Sequence, residues 1–148
     1  TLLRDAKAFA RTIEIFRQHY QGRQVDAVIG IEARGFIFAA AVAYSLGVGF
    51  IPVRKPRKLP FRTVSRSYQL EYGTDTLEMH EDAVRPGDNI LLIDDLIATG
   101  GTARAVAEMI EAQGGRVAGV GFVGELEFLH GRQALPGHDV FSILKYQQ

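Results

Sequence analysis

Apolar positions along the chain fall into two kinds of run. Over residues 5–20 they recur at three- and four-residue steps, as Phe9, Ile13, Phe16 and Tyr20, which is the period of a helix burying one stripe. Gln21-Gly22 ends that run. Residues 25–31, 49–53, 89–93, 117–123 and 140–144 are instead short, rich in β-branched side chains and almost without alternation, as expected for strands covered on both faces. Between them the spacing predicts helices over 36–46 and 102–113. The second carries Ala105, Met109 and Ala112 on one side and is stopped by Gly114-Gly115. Strand, helix and strand over 25–53 make a βαβ unit. The alternation predicts a single α/β domain, a mostly parallel central sheet flanked by helices, with ligands at the carboxyl ends of the strands.

Two segments depart from this alternation. Residues 54–66 are rich in Arg, Lys and Pro without periodicity and read as a mobile connection. Residues 68–80 alternate loosely around Gly73-Thr74-Asp75, which predicts a hairpin. Since it does not fit the βα pattern, it is expected to project over the site as a flap.

Composition narrows the classes. At 148 residues and 47% hydrophobic content the chain suits one core, so residues 1–148 are expected to be one domain. Seventeen basic residues balance seventeen acidic ones, and the bulk charge draws the protein to neither nucleic acid nor an anionic membrane. Phosphate binding must then come from local clusters. The absence of cysteine excludes disulfides and thiolate metal sites and fits a cytoplasmic location. Residues 35–53 carry no charge over nineteen positions, long enough to raise a membrane span, but Gly47, Gly49 and Pro52 break the run into a buried helix and a strand. The chain opens at Thr1 without a basic segment followed by an apolar one, so no signal peptide is expected.

The most specific chemistry lies in Ile90-Leu91-Leu92-Ile93-Asp94-Asp95-Leu96-Ile97-Ala98-Thr99-Gly100-Gly101-Thr102: a buried strand, two carboxylates, then a glycine loop opening a helix. Gly100 and Gly101 let the backbone turn inward. Free amides at the helix start, with the Thr99 and Thr102 hydroxyls, suit a phosphate dianion. No Lys-Ser or Lys-Thr pair follows the glycines, which argues against a nucleoside triphosphate P-loop. Asp94 and Asp95 suit the vicinal hydroxyls of a ribose, directly or through a magnesium ion. His19, His80, His130 and His138 have no metal-ligand spacing.

This thirteen-residue pattern resembles the signature by which type I phosphoribosyltransferases bind 5-phosphoribosyl 1-pyrophosphate (PRPP). The segments Glu32-Ala33-Arg34-Gly35-Phe36, Val53-Arg54-Lys55-Pro56 with Lys58-Leu59-Pro60, Leu70-Glu71-Tyr72-Gly73, and Leu77-Glu78 with His80 are similar, in order and spacing, to adenine phosphoribosyltransferases. The resemblance implies the magnesium-dependent reaction of adenine with PRPP to AMP and pyrophosphate, usually by a homodimer. It places Ala98, Thr99, Gly100, Gly101 and Thr102 around the 5-phosphate, Asp94 and Asp95 on the ribose, and Ala33 and Arg34 on the pyrophosphate, helped by Arg54 and Lys58. Glu71 and Tyr72 would close over the reacting centre, and magnesium would be held mainly through PRPP.

Two departures stand out. The resemblance starts at Thr1, without the hood that the family carries upstream and that contributes contacts to adenine. Arg57 stands where the family usually has glycine. Two other readings share the PRPP loop: a PRPP-sensing regulator without catalysis, which would need neither Arg34 nor Glu71, and an enzyme for another base.

Overall fold

The computed structural model describes residues 1–69 and 74–148. In chain order these form α1 (Ala6–Tyr20), β1 (Ala27–Ile31), α2 (Arg34–Leu46), β2 (Gly49–Val53), β3 (Thr63–Gln69), β4 (Thr74–His80), β5 (Asn89–Ile97), α3 (Gly101–Ala112), β6 (Arg116–Leu126), two short 3-10 turns (Glu127–Leu129 and Gly131–Ala134) and β7 (Val140–Tyr146). Five strands make one parallel sheet in the order β2-β1-β5-β6-β7, while β3 and β4 pair antiparallel as a separate hairpin.

Burial on both faces explains why the strand sequences hardly alternate. Along β5, Ile90 and Leu92 join one apolar cluster with Val106, Met109 and Ile110 of α3 and Leu77 and Met79 of β4. Leu91 and Ile93 point the other way, into a cluster with Phe16 and Tyr20 of α1 and Phe38 and Val42 of α2. Every one of these side chains is at most 4% exposed, so both parities of the strand must be apolar. Helix α1 buries the stripe that its spacing predicts, down to Phe16 and Tyr20. Its start is closed by the Asp5 carboxylate, which accepts from the amides of Lys7 and Ala8. Among the described residues, no helix is long and apolar enough to cross a membrane.

Four boundaries differ from the sequence reading. Strand β5 runs on through Asp94 and Asp95 to Ile97, in register with β6 (Asp94 opposite Phe122, Ile97 opposite Glu125), where a loop from Asp94 is expected. Ladder hydrogen bonds to β6 hold these polar residues extended, which side-chain polarity alone does not reveal. The connection expected to be mobile over 54–66 is structured in part. Arg54 exchanges backbone hydrogen bonds with Glu78, and β3 begins at Thr63. Thr74 and Asp75, expected in the hairpin turn, stand in the ladder opposite Gln69 and Tyr68. Finally, α2 and α3 begin at Arg34 and Gly101, so their first turns include residues read as loop.

Candidate active site

Because β1 and β5 are adjacent and parallel, the segments leaving their carboxyl ends emerge side by side. After β1, Glu32 and Ala33 lead into α2. After β5, Ala98, Thr99 and Gly100 lead into α3. Helix α2 has Ala33 at its N-cap and α3 has Gly100, with no side-chain cap on either and no acidic residue in either first turn. In contrast to the Asp5-capped α1, both site helices aim unsatisfied amides and the positive ends of their dipoles at the cleft.

The cleft consists of two adjoining depressions. One is lined by Ala33, Arg34, Lys55, Asp94, Asp95 and Thr102 among others. The other is walled by Ala98, Thr99, Gly100, Gly101, Thr102 and Asp94. Asp94 and Thr102 belong to both, so the carboxylate pair lies between two anion-attracting helix starts.

Asp94 is mostly buried against α2: a Cβ on Gly35 would come 2.5 Å from its Oδ1, so only glycine admits the carboxyl this close. Its Oδ1 accepts from the Asp95 amide at 2.8 Å. Burial pushes its pKa from the ordinary carboxylate range up to about 8, and the neighbouring Asp95 carboxylate adds to the rise. Asp95 meets the Arg34 Nε at 2.9 Å, and that arginine is 75% exposed.

Lys55, which follows β2 by two residues, lines the same depression as Asp95. Its amide donates to Glu32 Oε1 at 2.6 Å, and its ammonium pairs with Asp75 of the hairpin. The hairpin is also tied to the glycine loop, as Thr102 Oγ1 donates to the Tyr68 hydroxyl at 3.2 Å. Arg54 and Lys58 line neither depression. The Arg54 guanidinium contacts Glu32 at 3.3 Å and lies 5.8 Å from the Phe36 ring centroid, while Lys58 is exposed. Glu71 and Tyr72 lie outside the described residues. Glu32 and Lys55 stand in the motif segments of the sequence but carry no assigned role there, and Tyr68 is not among the candidate residues. For Lys55 a signal existed, since a cation just past the carboxyl end of a parallel strand sits at the ligand edge of the sheet.

The two loop glycines have different tasks. Gly100 has φ +86°, and a Cβ there would strike the Gly131 carbonyl oxygen and come 2.8 Å from Ala134 Cβ. Gly101 has no heavy atom nearer than 3.7 Å to such a Cβ. Gly100→Ala should lose about 2–4 kcal/mol of stability in urea unfolding, and Gly101→Ala should match the parent or gain up to ~1 kcal/mol. Equal losses would mean that the turn of Gly131–Ala134 does not support the loop.

The shifted Asp94 sets a pH dependence. Between about pH 4 and 8 the folded state keeps a proton that the unfolded chain has released, so the stability contributed by this group is full below pH 4, falls as pH rises and levels off above 8. Asp94→Asn keeps an acceptor for the Asp95 amide and removes the titration. Its unfolding midpoint should exceed the parent's at pH 8, with the gap closing toward pH 4. A gap that does not change with pH would show that Asp94 titrates like an ordinary carboxylate.

Comparison with known proteins agrees with this geometry. The family model described as phosphoribosyl transferase domain matches residues 1–124. An adenine phosphoribosyltransferase of Solibacter usitatus is 60% identical over 148 residues, which cover all of this chain and 86% of that protein. The crystal structure of adenine phosphoribosyltransferase from Thermoanaerobacter pseudethanolicus superposes with a TM-score of 0.95 at 52% identity, covering 98% of this chain and 84% of that one. That of the Saccharomyces cerevisiae enzyme, complexed with an imino-altritol bisphosphate and adenine, gives 0.91 at 39% identity, covering 97% and 83%. A parallel sheet with two uncapped helix starts, an Asp-Asp pair between them and these relatives along its whole length place the chain in the adenine phosphoribosyltransferase family.

Proposed function

We infer that the protein transfers the 5-phosphoribosyl group of PRPP to adenine, giving AMP and pyrophosphate, as a purine-salvage enzyme of the cytoplasm. The observation that carries this reading is the order of features across the cleft: an uncapped helix start, a carboxylate pair, and a second uncapped helix start. A ribose with phosphate on one end and pyrophosphate on the other has the matching order. The 5-phosphate suits the amides and hydroxyls of Ala98, Thr99, Gly100, Gly101 and Thr102, and the ribose hydroxyls suit Asp94 and Asp95. The pyrophosphate suits Ala33, Arg34 and the start of α2. Lys55, which lines that depression, fits the pyrophosphate better than Arg54 or Lys58 does.

In the reaction, N9 of adenine bonds to C1 of the ribose as the C1–O bond to pyrophosphate breaks. The electron pair leaves with the pyrophosphate, and the purine gives up its N9 proton. Negative charge growing on the leaving group favours the Arg34 guanidinium, the Lys55 ammonium and the α2 amides, all of which are positioned before the bond breaks. Glu71 is assigned to the other side of the event, stabilising the cation-like ribose and taking the purine proton, with Tyr72 helping to exclude water. Among the described residues there is no group of three or more metal-ligating side chains. Magnesium would be held chiefly by PRPP oxygens with Asp94 and Asp95 as hard donors, and when bound it adds positive charge beside the pyrophosphate. On α2, Ile37 is 44% and Tyr44 90% exposed at helical spacing with exposed Ala40, an apolar stripe suited to a second copy in a homodimer.

The reading is tested by mixing the protein with magnesium and PRPP, offering each nucleobase in turn and identifying the nucleotide. AMP from adenine is expected, and another nucleotide or none overturns it. Two variants should then separate binding from chemistry. Asp94→Asn with Asp95→Asn should weaken PRPP by about 1.5 to 3 kcal/mol for each hydrogen bond lost. Glu71→Gln should leave PRPP affinity within a few-fold while lowering single-turnover AMP formation by roughly 10²- to 10⁴-fold. The opposite split would reassign Glu71 to positioning.

A further inference from the structure

Beneath the glycine loop lies an ion pair that the chemistry above does not use. Glu125 on β6 is 3% exposed, and β6 places it directly opposite Ile97, the last residue of β5 before the loop. Arg132, in the turn of Gly131–Ala134, grips this carboxylate as a fork: its Nε donates to Oε2 at 2.8 Å and its Nη2 to Oε1 at 2.8 Å. The Ser142 hydroxyl also donates to Oε1, at 2.7 Å, and the Arg132 Nη1 donates to the Val140 carbonyl at 2.9 Å. The turn is thus fastened to both β6 and β7.

What the turn supports is the loop itself. The residue before Arg132 is Gly131, whose carbonyl oxygen occupies the place where a side chain on Gly100 would go. In return, a Cβ on Gly131 would come 2.5 Å from the Ala98 carbonyl oxygen and 2.7 Å from Ile97. Backbone therefore packs closely on backbone, flanked by the Ile97 side chain and the Ala134 methyl group. Leu135, 2% exposed, anchors the far end of the turn in the core. A shift of the turn must be passed to Ala98 and Gly100, two residues of the loop assigned to the 5-phosphate.

The pair is buried only at its Glu125 end, the Arg132 side chain being 41% exposed, and an ion pair of this kind is a poor device for stability, since screening weakens its exposed end and an apolar replacement of its buried end often does as well. Its advantage over an apolar pair is geometry: a planar fork on a carboxylate fixes direction as well as distance. We propose that Arg132 and Glu125 are positioning residues for the 5-phosphate loop, holding the turn of Gly131–Ala134 at the height where the loop amides meet the phosphate. This rests on the functional reading above and adds to it a pair of residues that touch no substrate.

The test is a double variant, Glu125→Met with Arg132→Met, compared with the parent by thermal unfolding and by calorimetric titration with AMP, which carries the 5-phosphate, and with magnesium pyrophosphate, which does not. The expected result is an unfolding midpoint close to the parent's, unchanged pyrophosphate affinity, and AMP affinity weaker by roughly tenfold to a hundredfold, as for small misplacements of binding groups. Arg132→Lys, which keeps the charge and loses the fork, should give an intermediate loss for AMP. The proposal is overturned if a folded double variant, or a folded Arg132→Lys, binds AMP like the parent. It is equally overturned if AMP and pyrophosphate affinity fall together with the unfolding midpoint, which is the signature of a general structural role. Failure of the parent to bind AMP would sink the functional reading and this proposal with it, whereas parent binding with unaffected variants sinks this proposal alone.

Discussion

The parallel pairing of β1 with β5 is the constraint from which the site follows. With Ala27 opposite Ile90 and Ile29 opposite Leu92, the two strands end at the same edge of the sheet, and so do the starts of the helices that follow them. A parallel sheet must be covered on both faces. Here α2 lies on one face with α1, while α3 lies on the other with the hairpin. Two dipoles of the same sign therefore converge on one cleft from opposite sides of the sheet. An antiparallel pair at this place would send the second helix to the other edge.

That convergence makes the carboxylate pair tolerable and useful. Two adjacent carboxylates at the end of a buried strand are costly in isolation, and the rise of Asp94 to about 8 is a sign of that cost. Arg34 on Asp95 offsets part of it. Gly35 permits the rest of the arrangement by letting Asp94 lie against the first turn of α2. The charge stored here is local, since the chain as a whole has no net charge.

The hairpin is joined to this cleft by polar contacts as well as packing. Asp75 engages Lys55 and accepts from Tyr68, Tyr68 accepts from Thr102, and Arg66 pairs with Glu108 of α3. The ties to Lys55 and Thr102 reach residues that line the depressions, and the Arg66–Glu108 pair fixes the hairpin to α3. The groups assigned to the two ends of the substrate are thereby mechanically connected through the hairpin.

The order of strands and helices, the glycine loop and the Asp-Asp pair were legible in the chain because they depend on local rules: apolar runs, helix period, and the freedom of glycine. A distinctive run of thirteen residues carried the family resemblance, and the relatives agree with it. Sequence periodicity could not show that β5 continues through Asp94 to Ile97, because the hydrogen bonds that keep those polar residues extended come from β6. Nor could it divide labour within Arg54, Lys55 and Lys58, three cations in one aperiodic segment. The antiparallel bridge of Arg54 with Glu78 and the grip of Glu32 on the Lys55 amide orient that segment. The support of Gly100 by Gly131 was equally hidden, since it joins residues thirty-one positions apart through bare backbone. What the sequence determined by itself was the order of the elements and the signature that carries the family. Which residues share the cleft was decided by the tertiary structure, because strand register and helix packing bring together groups that no spacing along the chain relates.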